Sequence, residues 1–97
     1  MTFEWDPRKA LSNRKKHRVE FEEASSVFLD PLAMTYPDPA NRSDELREIT
    51  IGCTIKGNLL FVLHCERGTR IRIISARQLT PREREQYEEG INNETER

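Results

Sequence analysis

The chain has 97 residues, 35 % hydrophobic and 34 % charged, with a formal net charge of −1. That length fits one domain with a modest core, and the clustering of its apolar residues excludes full disorder. The small net charge hides a split: residues 1–82 carry 14 Lys/Arg against 11 Asp/Glu, while 83–97 carry 2 against 6, so a mildly basic body ends in an acidic segment.

Thr2–Trp5 reads as a short strand that stops at Asp6-Pro7. Asp6 suits a helix N-cap, and Pro7 suits the first helical position, where its missing N–H costs nothing. A helix is expected from Pro7 to about His17. Its end carries Arg14, Lys15, Lys16, His17 and Arg18, where the helix dipole favours positive charge. A second helix is expected from about Glu20 to Leu29, with Phe21, Ala24, Val27 and Phe28 on one face. Asp30-Pro31 ends it, since a residue before proline avoids the α region.

Leu32–Tyr36 reads as a strand, 37–44 as a polar loop, and Leu46–Ile55 as a β-branched strand. Lys56-Gly57-Asn58 makes a hairpin turn into the strand Leu59–Cys65, and Glu66-Arg67-Gly68 makes another into Thr69–Ala76. Thr80-Pro81-Arg82-Glu83 has the form of a capping box, opening a helix to Glu89 with Gly90 placed to stop it. The expectation is a single α+β domain over residues 1–90, with a four-stranded antiparallel sheet covered by two helices before it and one after. Residues 91–97 are expected to fray.

Cys53 and Cys65 lie in apolar runs without the paired spacing of a zinc site and read as free buried thiols. The N-terminus does not have the form of a signal peptide, and no apolar run approaches the ~20 residues of a membrane span.

Segment 64–82 holds Arg67, Arg70, Arg72, Arg77 and Arg82 against the single acid Glu66. Strand alternation puts Arg70 and Arg72 on one face and Ile71 and Ile73 on the other. A guanidinium matches a phosphate and stabilises charge that grows on it. The same spacing also describes a strand kept soluble by charge, and spacing alone favours that reading. His17 and His64 are acid–base candidates, His64 also fitting a core position at a strand end. Neither has a partner at metal-ligand spacing. Tyr87 either anchors the last helix or assists proton transfer.

Two blocks of sequence carry a family resemblance. Phe3-Glu4-Trp5-Asp6-Pro7, Lys9, Asn13, Lys16-His17, Val19, Phe21-Glu22-Glu23-Ala24 and Val27-Phe28 resemble the opening signature of the BrnT family. Arg47, Ile51-Gly52, Arg70-Ile71-Arg72-Ile73-Ile74-Ser75-Ala76-Arg77, Glu83 and Tyr87 resemble its second half. Arg18 departs from the pattern, which usually has glycine after Lys-His.

The resemblance implies a RelE-like fold and a cytoplasmic toxin of a type II toxin–antitoxin pair: an endoribonuclease that arrests translation, using neither metal nor cofactor. It also implies a tightly bound BrnA-like antitoxin with a ribbon-helix-helix domain, through which the complex binds operator DNA, and a toxin that is monomeric alone. With RNA as substrate, Arg70, Arg72 and Arg77 are expected to clamp the phosphate, with His17 or Lys16, and Tyr87, moving protons. Arg67, Lys15, Arg82 and His64 are the further candidates for holding RNA. The alternatives are a non-catalytic corepressor that assists operator binding and a plain interaction subunit.

Overall fold

The computed structural model describes residues 1–95, with side chains described through Ile91. Helix α1 (Pro7–His17) starts where expected, the Asp6 carboxylate accepting the Arg8 N–H at 2.8 Å. It ends at Arg18, whose N–H closes on the Arg14 carbonyl at 2.9 Å with φ 60° and ψ 30°, in the left-handed region. The predicted second helix divides: α2 (Phe21–Ser25) tightens into a 3-10 turn over Ser26–Leu29. The Ser25 and Ser26 hydroxyls donate to the carbonyls of Glu22 and Glu23, each at 2.7 Å, and so compete for helical acceptors.

Strands β1 (Thr2–Glu4), β2 (Met34–Pro37), β3 (Arg47–Cys53), β4 (Leu59–Arg67) and β5 (Arg70–Gln78) form one sheet in the order β1-β5-β4-β3-β2. β2 through β5 are antiparallel neighbours, as expected. The sheet has five strands rather than four because β1 joins the outer edge of β5 in parallel, Thr2 beside Arg70 and Glu4 beside Arg72. Aromatic packing holds β1 and the residue after it in place, Phe3 on Phe28 at 5.3 Å and Trp5 on Phe21 at 5.9 Å between ring centroids. The β4–β5 turn shrinks to Gly68-Thr69, with Gly68 at φ 63° and Arg67 drawn into β4.

The β4–β5 ladder contains a bulge. Leu63 lies opposite Ser75, but His64 lies opposite Ile73, so Ile74 is the extra residue. β1 reaches only as far as Arg72, which leaves the outer edge of the rest of β5 to α1. There Asn13, 7 % exposed, accepts the Ala76 N–H at 3.0 Å and donates to the Ala76 carbonyl at 2.9 Å and the Val19 carbonyl at 3.0 Å. Its amide thus stands in for a neighbouring strand and satisfies backbone groups that burial would otherwise orphan.

Helices α1 and α2 cover one face of the sheet, where Phe21, Ala24 and Val27 pack on Leu60, Val62, Ile73 and Ala76. Full burial of Phe21 contributes roughly 1.5–3 kcal/mol. Helix α3 (Pro81–Thr95) lies on the other face, against β3. The capping box forms as predicted, the Glu83 carboxylate accepting the Thr80 N–H at 2.8 Å and Thr80 Oγ1 accepting the Glu83 N–H at 3.2 Å. Gly90 does not stop the helix, because Ile91, one turn beyond Tyr87, packs on Ile49, Ile51 and their neighbours. Residues 91–95 therefore continue α3, and 96–97 of the expected frayed tail lie outside the described residues.

Candidate active site

Directly opposed residues of an antiparallel pair share a face. One cross-strand row runs Arg47, Cys65, Arg72, Glu4; the next sets Arg67 beside Arg70; a third sets Arg77 beside Phe61 and Ile51. Five arginines, 47, 67, 70, 72 and 77, therefore share the face on which α3 packs. Unbroken alternation would have turned Arg77 away with Ile71 and Ile73, and the bulge at Ile74 brings it back.

Three carboxylates lie among these arginines. Glu4 pairs with Arg72 at 3.0 Å, Glu45 with Arg67 at 2.7 Å, and Glu83 grips Arg77 in a fork at 2.8 and 3.0 Å. The Arg77 hydrogen bonds hold the Glu83 carboxyl below its ordinary range. Arg77 is further fixed over the Phe61 ring, 3.9 Å from its centroid. Arg70 is exposed and has no ionic partner among the described residues. Arg47 has its Nε buried without a hydrogen-bond partner. Arg47 was not among the site residues expected from the sequence, yet its signal was present: it opens the stripe continued by Ile49, Ile51 and Cys53, a cation on an otherwise apolar face. Five guanidinium groups against three carboxylates leave this face able to hold anions.

The proton-transfer candidates lie elsewhere. Lys16 and His17 line a groove of about 190 Å³ with Lys9 and Asn13, floored by Ile74 and Ser75. The groove runs between α1 and the outer edge of β5 at the bulge, and none of the five arginines lines it. Its floor is nevertheless the bulged segment that joins Arg72 to Arg77. Lys15 faces another cleft on the far flank of α1, and Arg82 is exposed on the first turn of α3.

Two expected site residues have structural roles instead. His64 is 3 % exposed on the face covered by α1 and α2, its Nε2 2.7 Å from Thr50 Oγ1 and its ring edge-on to Phe28 at 4.9 Å. Burial lowers its pKa to about 4, so the ring is neutral, and it is shut off from the surface. Tyr87 is buried, and its hydroxyl donates to Asp30 Oδ2 at 2.6 Å. Burial and the Asp30 carboxylate push the phenol above its ordinary range, away from acid–base work near neutral pH. Asp30 also accepts the Leu32 N–H at 2.9 Å and the Cys53 N–H at 2.8 Å. Burial alone would raise the Asp30 pKa, but these three hydrogen bonds outweigh it and hold the carboxylate ionised. The Tyr87–Asp30 bond thus pins α3 to β3 and to the turn before β2.

Among the described residues no group of three or more His, Cys, Asp or Glu converges as a metal site would require, and no helix is long and apolar enough to cross a membrane. Residues 5–83 match the family model described as "Ribonuclease toxin, BrnT, of type II toxin-antitoxin system". The chain is similar in fold to the crystal structure of the Brucella abortus ribonuclease toxin, BrnT. The TM-score is 0.65, with 23 % identity over 82 % of this chain and 97 % of that one. No curated protein matches.

Proposed function

Because this chain belongs to the BrnT family, the ribonuclease toxins of type II toxin–antitoxin systems, we propose that it is a metal-independent endoribonuclease whose reacting phosphate is held by Arg70, Arg72 and Arg77. The observation that carries this reading is the bulge, which turns Arg77 onto the face of Arg70 and Arg72 while Glu83 and Phe61 fix its guanidinium.

RNA supplies its own nucleophile. The 2′-oxygen attacks the adjacent phosphorus and gives up its proton, and the bond to the 5′-oxygen breaks as that oxygen gains one. The protein's task is to align the phosphate and to stabilise the charge that grows on it. The arginines do this without changing protonation state. The phosphate is proposed to sit at the edge of β5 beside Ile74, where His17 or Lys16 reaches it from α1 and moves the protons. Arg67 and Arg82 extend the contact with RNA.

The expected partner is a BrnA-like antitoxin that covers the arginine face, with a ribbon-helix-helix domain that takes the complex to operator DNA. Free toxin is proposed to be monomeric and to act in the cytoplasm, where RNA loss arrests translation. No geometric feature among the described residues favours a non-catalytic corepressor.

Induction of the chain alone should stop growth and deplete RNA. Loss of one preorganised charge donor costs about 10²–10³ in kcat, so R70A/R72A should relieve both effects. A folded double variant as toxic as the parent would overturn the arginine clamp.

A further inference from the structure

We infer that the cleft between α1 and the turn at Lys56 is a second RNA-backbone site, one that steadies a strand extending beyond the reacting phosphate; this rests on the ribonuclease reading above. The cleft measures about 680 Å³ and is lined by Arg14, Lys15, Arg18 and Lys56 against Glu20 and Glu23. Both acids are engaged. Glu23 Oε2 accepts from Thr54 Oγ1 at 2.8 Å and Asn58 Nδ2 at 2.7 Å, which fixes the turn that carries Lys56. Glu20 lies 3.7 Å from Arg14. Lys15, Arg18 and Lys56 have no ionic partner among the described residues.

The dipole of α1 amounts to roughly half a negative charge at its C-terminus, too little to call for Arg14, Lys15 and Arg18 together, and Lys56 comes from a different element. Arg18 adds an independent sign. It is the only non-glycine residue at positive φ among those described. The backbone there is better served by glycine, so the side chain is what an arginine contributes. A polyanion also fits the surroundings better than a point ligand does. Lys9, Lys16 and His17 flank α1 on the side of the bulge groove, and the cleft cations flank it on the other. A positive path therefore crosses α1 from the proposed reacting site to the cleft, the footprint expected for a phosphate backbone.

The probe is a 2′-O-methyl oligouridylate of about 20 nucleotides, whose blocked 2′-oxygen prevents cleavage, and binding is measured across a salt series. Each phosphate contact adds about 0.7 to the log–log salt slope for a single strand. R18G should lower the slope by about 0.7 and R14Q/K56Q by about 1.4. R18G should also raise Tm by a few degrees, because glycine relaxes the left-handed backbone. On cleavable RNA both variants should raise KM for long substrates several-fold and leave kcat on a trinucleotide unchanged. Unchanged slopes and an unchanged KM on long RNA would overturn the site, as would a lowered Tm for R18G. It would also fall if poly-glutamate binding depended on Arg18 while the RNA slope did not, since that result assigns the cleft to an acidic protein. Parent protein that leaves RNA intact would retire the ribonuclease reading, and the binding slopes would still decide the cleft.

Discussion

Acidification from pH 6.5 toward 4 should remove about 3 kcal/mol of stability through His64 alone. The ring is buried to 3 % exposure, and its one hydrogen bond among the described residues is to Thr50, with Nδ1 unpartnered. In the folded chain it takes a proton only near pH 4, against an ordinary 6.5. Between those values the unfolded chain binds more protons, so stability rises with pH across the window and falls as acid is added. The interval at 1.36 kcal/mol per pH unit gives the total, of which roughly half falls between pH 6.5 and 5. The carboxylates of Asp30, Glu45 and Glu83, held below their ordinary values of 3.8 to 4.5, act in the same direction but at lower pH. Urea unfolding at several pH values in this window, in an H17Q background, should show the drop. H64Q, which keeps a polar group beside Thr50 and does not titrate, should abolish it. A flat profile for the parent, or an undiminished one for H64Q, would show that the His64 ring is not the source of the acid sensitivity.

Two further outcomes follow from side chains that hold elements together. N13A orphans the N–H and C=O of Ala76 and the C=O of Val19. At about 1–3 kcal/mol per buried group, with partial relief by water, the loss should be about 3–4 kcal/mol, read from the urea midpoint. Hydrogen exchange at the Ala76 amide should accelerate as well, and an unchanged rate would deny the edge-pairing role. Y87F breaks the bond to Asp30 and should cost about 1–2 kcal/mol while kcat on RNA stays within about twofold of the parent. A fall of about two orders of magnitude in kcat would return Tyr87 to the chemistry.

The parts of the fold legible in the sequence are those set by local chemistry. Asp6-Pro7 starts α1, Thr80 and Glu83 cap α3, and the hairpin turns order β3, β4 and β5. What stayed hidden depends on distant parts of the chain. β1 pairs with β5 across 68 positions, and Asn13 bonds a residue 63 positions away. At the site, the shared face of Arg70 and Arg72 could be counted from alternation, whereas the facing of Arg77 required knowledge of the bulge. His64 illustrates the converse: its type suggested chemistry, but its place opposite Ile73 puts it in the core. Glu83, visible as a cap, also holds Arg77, a second duty that only the fold assigns.

The bulge at Ile74 also makes β5 two half-strands out of phase. Ile73 in the first half and Ala76 in the second both point into the core under α1 and α2, a pairing of directions that a single pleat three residues long forbids. If the ladder slipped into one continuous phase, one half would turn over, carrying either Arg70 and Arg72 or Arg77 to the opposite side and a core residue out with them. Hydrophobic burial on each half thus locks the phase, and the phase aims the arginines. The proposed chemistry sits at the seam, where the backbone leaves the ladder beside Lys16 and His17.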